Sequence, residues 1–263
     1  MPALNNDIIR KLALITGASG GIGAACAKAL YLQGAHLALT YSSNEDSILN
    51  LENELRDLHA RQAPRTDPGR ISIHKVDVSS ASDIETLFAD IRTSHGQDGP
   101  DILISNAGRG KRIPDIADIS LDEFDYTLSV NLRAAFILSK LSIPGMTARG
   151  WGRIIFVSSL AAHGGGINGC HYAASKAGLH GLMKSLAGKH AKDGITVNDV
   201  APAMIGETGM IPDEKFVEGT PGDVKNIPVG RLGTPEEVAN VVSMFCQTGY
   251  LTGQSVLLSG GLK

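Results

Sequence analysis

Leu12-Ala13-Leu14-Ile15-Thr16-Gly17-Ala18-Ser19-Gly20-Gly21-Ile22-Gly23 sets the architecture of this chain. Its first four residues are all apolar, a run short enough for a buried strand. A glycine-rich turn follows, and then a run of small residues, Ala24, Ala25, Ala27 and Ala29, reads as a helix. Such a turn lets the backbone approach a pyrophosphate, and the helix start offers free N–H groups and the positive end of its dipole. Many glycine runs are only tight turns. Placement directly after a buried strand favours a dinucleotide cradle made of Gly17, Ser19, Gly20, Gly21, Ile22 and Gly23.

Working outward, further apolar runs recur at intervals that suit βα units. Leu37-Ala38-Leu39, Ile71-Ser72-Ile73, Ile102-Leu103-Ile104, Ile154-Ile155-Phe156-Val157, Ile195-Thr196-Val197 and Ser255-Val256-Leu257-Leu258 complete seven strands. Helical stretches are expected between them at about 21–33, 44–60, 82–95, 122–149, 171–192 and 234–246. Near-continuous apolar strands need cover on both faces. The expected fold is therefore α/β, a Rossmann-like doubly wound sheet of seven mainly parallel strands with helices on both faces. We read one domain over 1–263. The run Ala63-Pro64-Arg65-Thr66-Asp67-Pro68-Gly69 is a polar loop within it, not a boundary. The stretch at about 203–233 carries Gly206, Gly209, Pro212, Gly219, Pro221, Gly222 and Pro228. It is long and irregular, as lids over binding sites are.

Composition narrows the partners. The chain has 263 residues and 43% apolar content, ample for a sizeable core. A formal charge of −3 with scattered Lys and Arg gives no field for nucleic acid. Cys26, Cys170 and Cys246 are far apart and lack metal-ligand spacing, so no metal and no disulfide framework is expected. Met1 to Arg10 reads as neither signal nor transit peptide, and no run is long enough to span a membrane. A cytoplasmic location is expected.

The ribose of a bound adenosine should meet the end of the second strand, Tyr41-Ser42-Ser43-Asn44. No acid stands there before Glu45, and Ser42, Ser43 and Asn44 are neutral donors that suit a 2′-phosphate. This points to NADP(H) ahead of NAD(H); the same serines also suit the start of a helix. Asp77, in Val76-Asp77-Val78, is placed to accept from an adenine amino group or to start a turn. Tyr172 and Lys176 are four apart and share one face if helical. A phenol titrates near ~10, and a neighbouring ammonium draws that value down toward general acid/base use. Tyr and Lys at this spacing more often make an ordinary amphipathic contact. The pair gains meaning only from its surroundings.

Taken in order, the glycine turn, Asn106-Ala107-Gly108 after strand four, a serine and then Tyr-x-x-x-Lys, and strand six ending in proline make the chain resemble the short-chain dehydrogenase/reductase family over about residues 10–261. It looks like the compact branch with 3-oxoacyl-[acyl-carrier-protein] reductases and fungal carbonyl or hydroxynaphthalene reductases. The resemblance implies a catalytic serine thirteen positions before the tyrosine, which is Ser159 and not Ser158. It implies catalytic roles for Tyr172 and Lys176, and for Asn131 as the anchor of a water leading to Lys176. Asn106, Ala107 and Gly108 would form the second cofactor motif, with Ser105 where an asparagine is usual. Lys176 would hold the nicotinamide ribose, and Tyr172 would protonate the carbonyl oxygen.

Departures from the family lie around the substrate. Gly20 stands where NADPH-using relatives often carry an arginine, although Tyr41 and its small polar successors look like the NADPH-using fungal enzymes. Pro202-Ala203 replaces Pro-Gly and implies a different local turn. The segment Ile205-Gly206-Glu207-Thr208 holds one residue more than its relatives; Pro202, Ala203, Ile205 and Thr208 are taken as cofactor contacts, Thr208 for the amide. Met204, Met210, Ile211, Phe216 and Val217 make the lid apolar, for substrate or for its own core. Arg109, Lys111 and Arg112 either meet an anionic substrate arm or are solvated. Arg149 and Lys192 do not identify a carrier protein as partner. The expected activity is NADPH-dependent reduction of 3-oxoacyl or small and cyclic ketones. The alternatives are an oxidative alcohol or polyol dehydrogenase, or a non-catalytic dinucleotide-binding scaffold. Small residues on the Tyr172 helix (Ala173, Ala174, Ala177, Gly178 and Gly181) and the resemblance together imply a homotetramer or dimer.

Overall fold

The computed structural model describes residues 6–62 and 68–263. The loop expected at 63–69 falls mostly outside the described residues, as does the start of the N-terminal stretch. In chain order the elements are β1 (Leu12–Ile15), α1 (Gly21–Leu32), β2 (His36–Tyr41), α2 (Glu45–Gln62), β3 (Ile71–Lys75), α3 (Ala81–His95) and β4 (Ile102–Ser105). Then come α4 (Leu121–Leu128), a π-helical turn (Ser129–Arg133), α5 (Ala134–Arg149), β5 (Gly152–Val157) and a short α6 (Ala161–Gly164). The chain continues through α7 (Cys170–His190), β6 (Ile195–Pro202), α8 (Pro235–Gln247) and β7 (Ser255–Leu258).

The seven strands form one sheet in the order β3-β2-β1-β4-β5-β6-β7, and every neighbouring pair is parallel. This is the Rossmann-like α/β architecture. Side chains of a strand alternate between faces, and β1 shows why its run is apolar throughout. Ala13 and Ile15 enter one core with α1, α2 and α8, while Leu12 and Leu14 enter the other with α3, α5 and α7. Strand order reverses direction between β1 and β4. The carboxyl ends of these strands therefore open a crevice at the switch point, where ligands bind in such sheets. Among the described residues no helix is long and apolar enough to cross a membrane.

The single helix expected over 122–149 is instead two helices joined by the π turn. Ser129 is the local cause. Its hydroxyl donates to the carbonyls of Asp125 (2.9 Å) and Tyr126 (3.0 Å), a side-chain bond that competes with the backbone ladder. The widened turn carries Asn131 inward, where it is buried. The irregular stretch between β6 and α8 holds two 3-10 turns, Glu214–Val217 and Val224–Asn226. Asp213 caps the first, and Asp223 accepts from the amides of Gly219 and Lys225 around the second.

Candidate active site

The glycine turn is built for close backbone approach. No side chain caps α1, so its first-turn amides stay available to an anion. Gly17 lies at φ +66. A Cβ on Gly23 would fall 2.4 Å from the Gly17 carbonyl oxygen, so only glycine fits. Thr16, which sequence reasoning passed over, ties this turn to the end of β4. Its hydroxyl accepts from the amides of Asn106 and Ala107, both at 3.0 Å. Asn106 in turn donates to the carbonyls of Thr16 (2.9 Å) and Gly17 (3.2 Å). The pattern of the residues therefore suits a pyrophosphate.

At the end of β2, Ser42, Ser43 and Asn44 are exposed, with Asn44 accepting from the Ser47 amide at the start of α2. Tyr41 is buried with Glu45 beside it, and burial and that carboxylate both raise the phenol. An acid thus stands beside the three neutral residues. Asp77 turns toward its own loop, accepting from the amide and hydroxyl of Ser79 (2.9 and 2.8 Å), while Val78 is buried in the core.

Across the crevice, α7 buries Tyr172 and Lys176 one turn apart. Lys176 Nζ donates to the Val157 carbonyl at the end of β5, 2.8 Å away, and lies 5.8 Å from the Tyr172 ring centre. Ser159, just beyond β5, is the side chain that acts on the Tyr172 hydroxyl, and its own oxygen accepts from the Ala161 amide (3.2 Å). Burial raises the Tyr172 phenol, and Ser159 pulls the other way. Burial is the larger effect on the phenol, and the Lys176 nitrogen is turned to the Val157 carbonyl. Lys176 is itself drawn down to about 8 by burial.

Asn131 faces the same space from the π turn. Its amide pairs with the Arg109 backbone, accepting from the N–H (2.7 Å) and donating to the carbonyl (3.0 Å), and donates to Ser175 (2.9 Å). A Cβ on Gly108 would lie 3.3 Å from Lys176 Nζ and 3.5 Å from Asn131 Oδ1. The Asn-Ala-Gly loop thus bridges the glycine turn and the lysine. Arg109 and Lys111 both pair with Glu123 on α4, at 2.8 and 3.2 Å, and hold its carboxyl down at about 2.

The lid root follows β6. Ala203 donates to the Leu258 carbonyl and so extends the β6–β7 ladder. The left-handed angles fall afterwards, on Met204 (φ 51) and Glu207 (φ 55). Pro202, Ala203 and Ile205 are buried. Thr208 donates to the Ile205 carbonyl and accepts from the Ile211 amide, both at 3.1 Å. The segment after β6 meets both the glycine turn and the loop after β4. The Glu207 carbonyl and Thr208 methyl press on Gly21, and Met210 lies against Gly110 and near Asn168. Ile211 and Val217 are core residues of the lid, whereas Met210 and Phe216 are exposed. Among the described residues no cluster of His, Cys, Asp and Glu is arranged to hold a metal ion.

A family model described as enoyl-(acyl carrier protein) reductase, adh_short_C2, matches residues 17–263. The 3-oxoacyl-[acyl-carrier-protein] reductase FabG of Rickettsia bellii is 36% identical over 260 residues, covering 97% of this chain and 98% of that protein. The acetoacetyl-CoA reductase of Shinella zoogloeoides is 33% identical over 256 residues, covering 95% of this chain and 98% of that protein. The solved short-chain dehydrogenase/reductase of Serratia marcescens superposes with a TM-score of 0.85 at 31% identity, over 97% of this chain and 99% of that one. With its all-parallel sheet and matches that run almost end to end, the chain belongs to the short-chain dehydrogenase/reductase family, nicotinamide-dinucleotide oxidoreductases acting on CH–OH and C=O groups.

Proposed function

We propose that the protein reduces carbonyl compounds with NADPH, its substrates being 3-oxoacyl thioesters or small and cyclic ketones. The observation that carries this reading is Tyr172, buried beside Ser159 and one helical turn from the buried Lys176. When bound, the dinucleotide supplies the hydride that a carbonyl carbon accepts. The chain's own residues do the rest. Gly17 and Ser19 to Gly23 hold the pyrophosphate, Tyr41 to Asn44 the 2′-phosphate, and Asn106 to Gly108 with Thr208 the inner face. Tyr172, kept protonated by burial, gives its proton to the substrate oxygen. Ser159 donates to the same oxygen and stabilises the charge that develops there. Lys176, fixed by the Val157 carbonyl, places a positive charge behind the phenol as its proton leaves.

The names of the relatives support an acyl-type ketone as substrate. The apolar, exposed Met210 and Phe216 of the lid suit the same class. Copies are expected to associate. Phe136, Ile143 and Leu186 line an apolar groove between α5 and α7, and Gly181 faces open space, although Gly178 packs on Leu132 of its own chain. One observation favours an oxidative, NAD-using alcohol dehydrogenase instead: Glu45, beside Tyr41 at the end of β2. Cofactor oxidation across a panel of ketones, 3-oxoacyl thioesters and quinones, with NADPH and NADH in parallel, separates the two. The expected result is reduction with a clear NADPH preference and a loss of about 10²-fold or more in Tyr172→Phe. Full activity in that variant sinks the mechanism, and equal efficiency with NADH sinks the cofactor assignment.

A further inference from the structure

Asp199 is an acid in an otherwise buried strand, and the roles given above leave it unused. It lies on β6 with no exposed surface. Alternation along β6 sends Ile195 and Val197 into the core under α7, so Asp199 points the same way. One of its oxygens, Oδ2, accepts from Ser158 just after β5 (2.8 Å) and Ser255 on β7 (2.5 Å), and lies 3.0 Å from the His180 ring nitrogen on α7. The other oxygen, Oδ1, is buried with no hydrogen-bond partner. Two hydroxyl donors and a ring nitrogen thus meet one oxygen while the other is left bare. A buried charge needs an opposite one.

The nearest group able to carry it is His180, 3.0 Å from Oδ2 and charged only when protonated, and Lys176 stands beyond that contact. His180 lies one turn beyond Lys176 on the same face of α7. Ser158, held by Asp199, stands between Val157, whose carbonyl receives Lys176, and Ser159, which meets the Tyr172 hydroxyl. We propose that Asp199 is the buried counter-charge of Lys176 and, through Ser158, the residue that fixes where the lysine nitrogen and the Ser159 hydroxyl sit. It is a positioning residue, and the idea rests on the assignment of Lys176 to the site made above. Asp199 acts on Lys176 in the expected direction, opposing the burial that draws the ammonium down to about 8. The other titratable groups around the lysine are Tyr172 and His180 on α7 and, from α6, His163, whose ring lies 4.6 Å from that of His180. The π turn contributes the neutral Asn131, and β5 and β7 contribute hydroxyls only.

The test needs no cofactor and no substrate. Protein labelled with ¹³C at lysine Cε is titrated by NMR, with the Lys176 resonance assigned by its disappearance in Lys176→Arg. The wild-type midpoint is expected near about 8. In Asp199→Asn it should fall by about one unit or more, at least a tenfold loss of proton affinity. The alkaline limb of kcat/KM for ketone reduction should move by the same amount, a change that mere loosening of the fold does not produce. An unchanged midpoint in folded Asp199→Asn overturns the proposal. If the single variant does not fold, Lys176→Met/Asp199→Asn decides: recovered folding supports the pairing, and an equally unfolded double variant overturns it. Because the titration is read without turnover, a shifted midpoint beside an active Tyr172→Phe enzyme would remove the catalytic reading and leave this pairing standing.

Discussion

At Tyr172 two effects oppose each other, and the larger one is burial. It raises the phenol, while Ser159 lowers it. A phenol held protonated at neutral pH suits a group whose task is to give a proton to a substrate oxygen. Lys176 is spent differently from what spacing alone implied, because its nitrogen bonds the Val157 carbonyl. Four-residue spacing puts two side chains on one face; it does not say which backbone carbonyl competes for the ammonium. At the other end of the crevice, Glu45 makes the residue-scale prediction. Its carboxylate lies by Tyr41 and the neutral residues Ser42 to Asn44 that are read as the 2′-phosphate contacts. A phosphate entering that corner meets a like charge. Glu45→Gln removes the charge and keeps an acceptor for the tyrosine. The ratio of NADPH to NADH affinity should rise by about 5- to 10-fold, roughly 1 kcal/mol, in parallel fluorescence titrations. No change in that ratio would place Glu45 outside the cofactor's reach.

Elements carry the crevice, and the turn from β1 into α1 carries most of it. Gly23 sits where a Cβ would lie 2.4 Å from the Gly17 oxygen, 2.8 Å from the Ala18 Cα and 2.9 Å from the Asn106 amide nitrogen. Two of those atoms are backbone, so Gly23→Ala must displace the turn and not merely a flexible side chain. Nucleotide affinity should drop about tenfold or more by calorimetric titration, with an overpacking loss of roughly 1–3 kcal/mol in urea unfolding. Wild-type affinity in a folded variant would show that the turn has slack. This element was legible in the sequence for the same reason it is rigid: only glycine fits, and it follows a strand buried on both faces. All seven strands were legible as short runs carrying apolar residues, the five inner ones buried on both faces and the edge strands β3 and β7 only partly covered. The π turn was not, because it depends on which carbonyl the Ser129 hydroxyl chooses, and periodicity averages over one such choice. The lid root was half legible. Ala203 in place of glycine announced a changed turn, yet the left-handed angles moved on to Met204 and Glu207, since Ala203 stays in the β6–β7 ladder. Asp199 was visible as an acid in an apolar strand, but its partners come from β5, β7 and α7, which only the folded sheet brings together.

For the whole molecule, acid is the informative stress, because two sets of groups titrate in different windows. His74 and His95 are buried between β3 and α3, and Ser72 links their Nε2 atoms at 2.8 Å each. One hydroxyl hydrogen serves that link, so the serine donates to one ring and accepts from the other, which both neutral rings allow. Burial lowers both histidines, His95 to about 4, with Arg70 and His36 adding to the effect on His95. An unfolded histidine titrates near ~6.5. Between about 6.5 and 4 the unfolded chain therefore binds protons that the fold refuses, and stability falls as pH falls through that window. Above it both states are neutral and the slope vanishes. Glu123 and Glu237 act in the same sense in a lower window: Arg109 and Arg231 hold them down at about 2, so their contribution is complete above the unfolded carboxylate range and is lost as pH falls from about 4.5 toward 2. Urea midpoints measured from pH 7 to pH 3 should thus show a first decline beginning near pH 6.5 and a second below about 4.5. His95→Gln keeps a polar partner for Ser72 without a titrating ring. It should flatten the first decline by on the order of 1–3 kcal/mol and leave the second in place. An undiminished first decline in that variant would mean that the acid sensitivity of this fold is seated elsewhere than at the edge of its sheet.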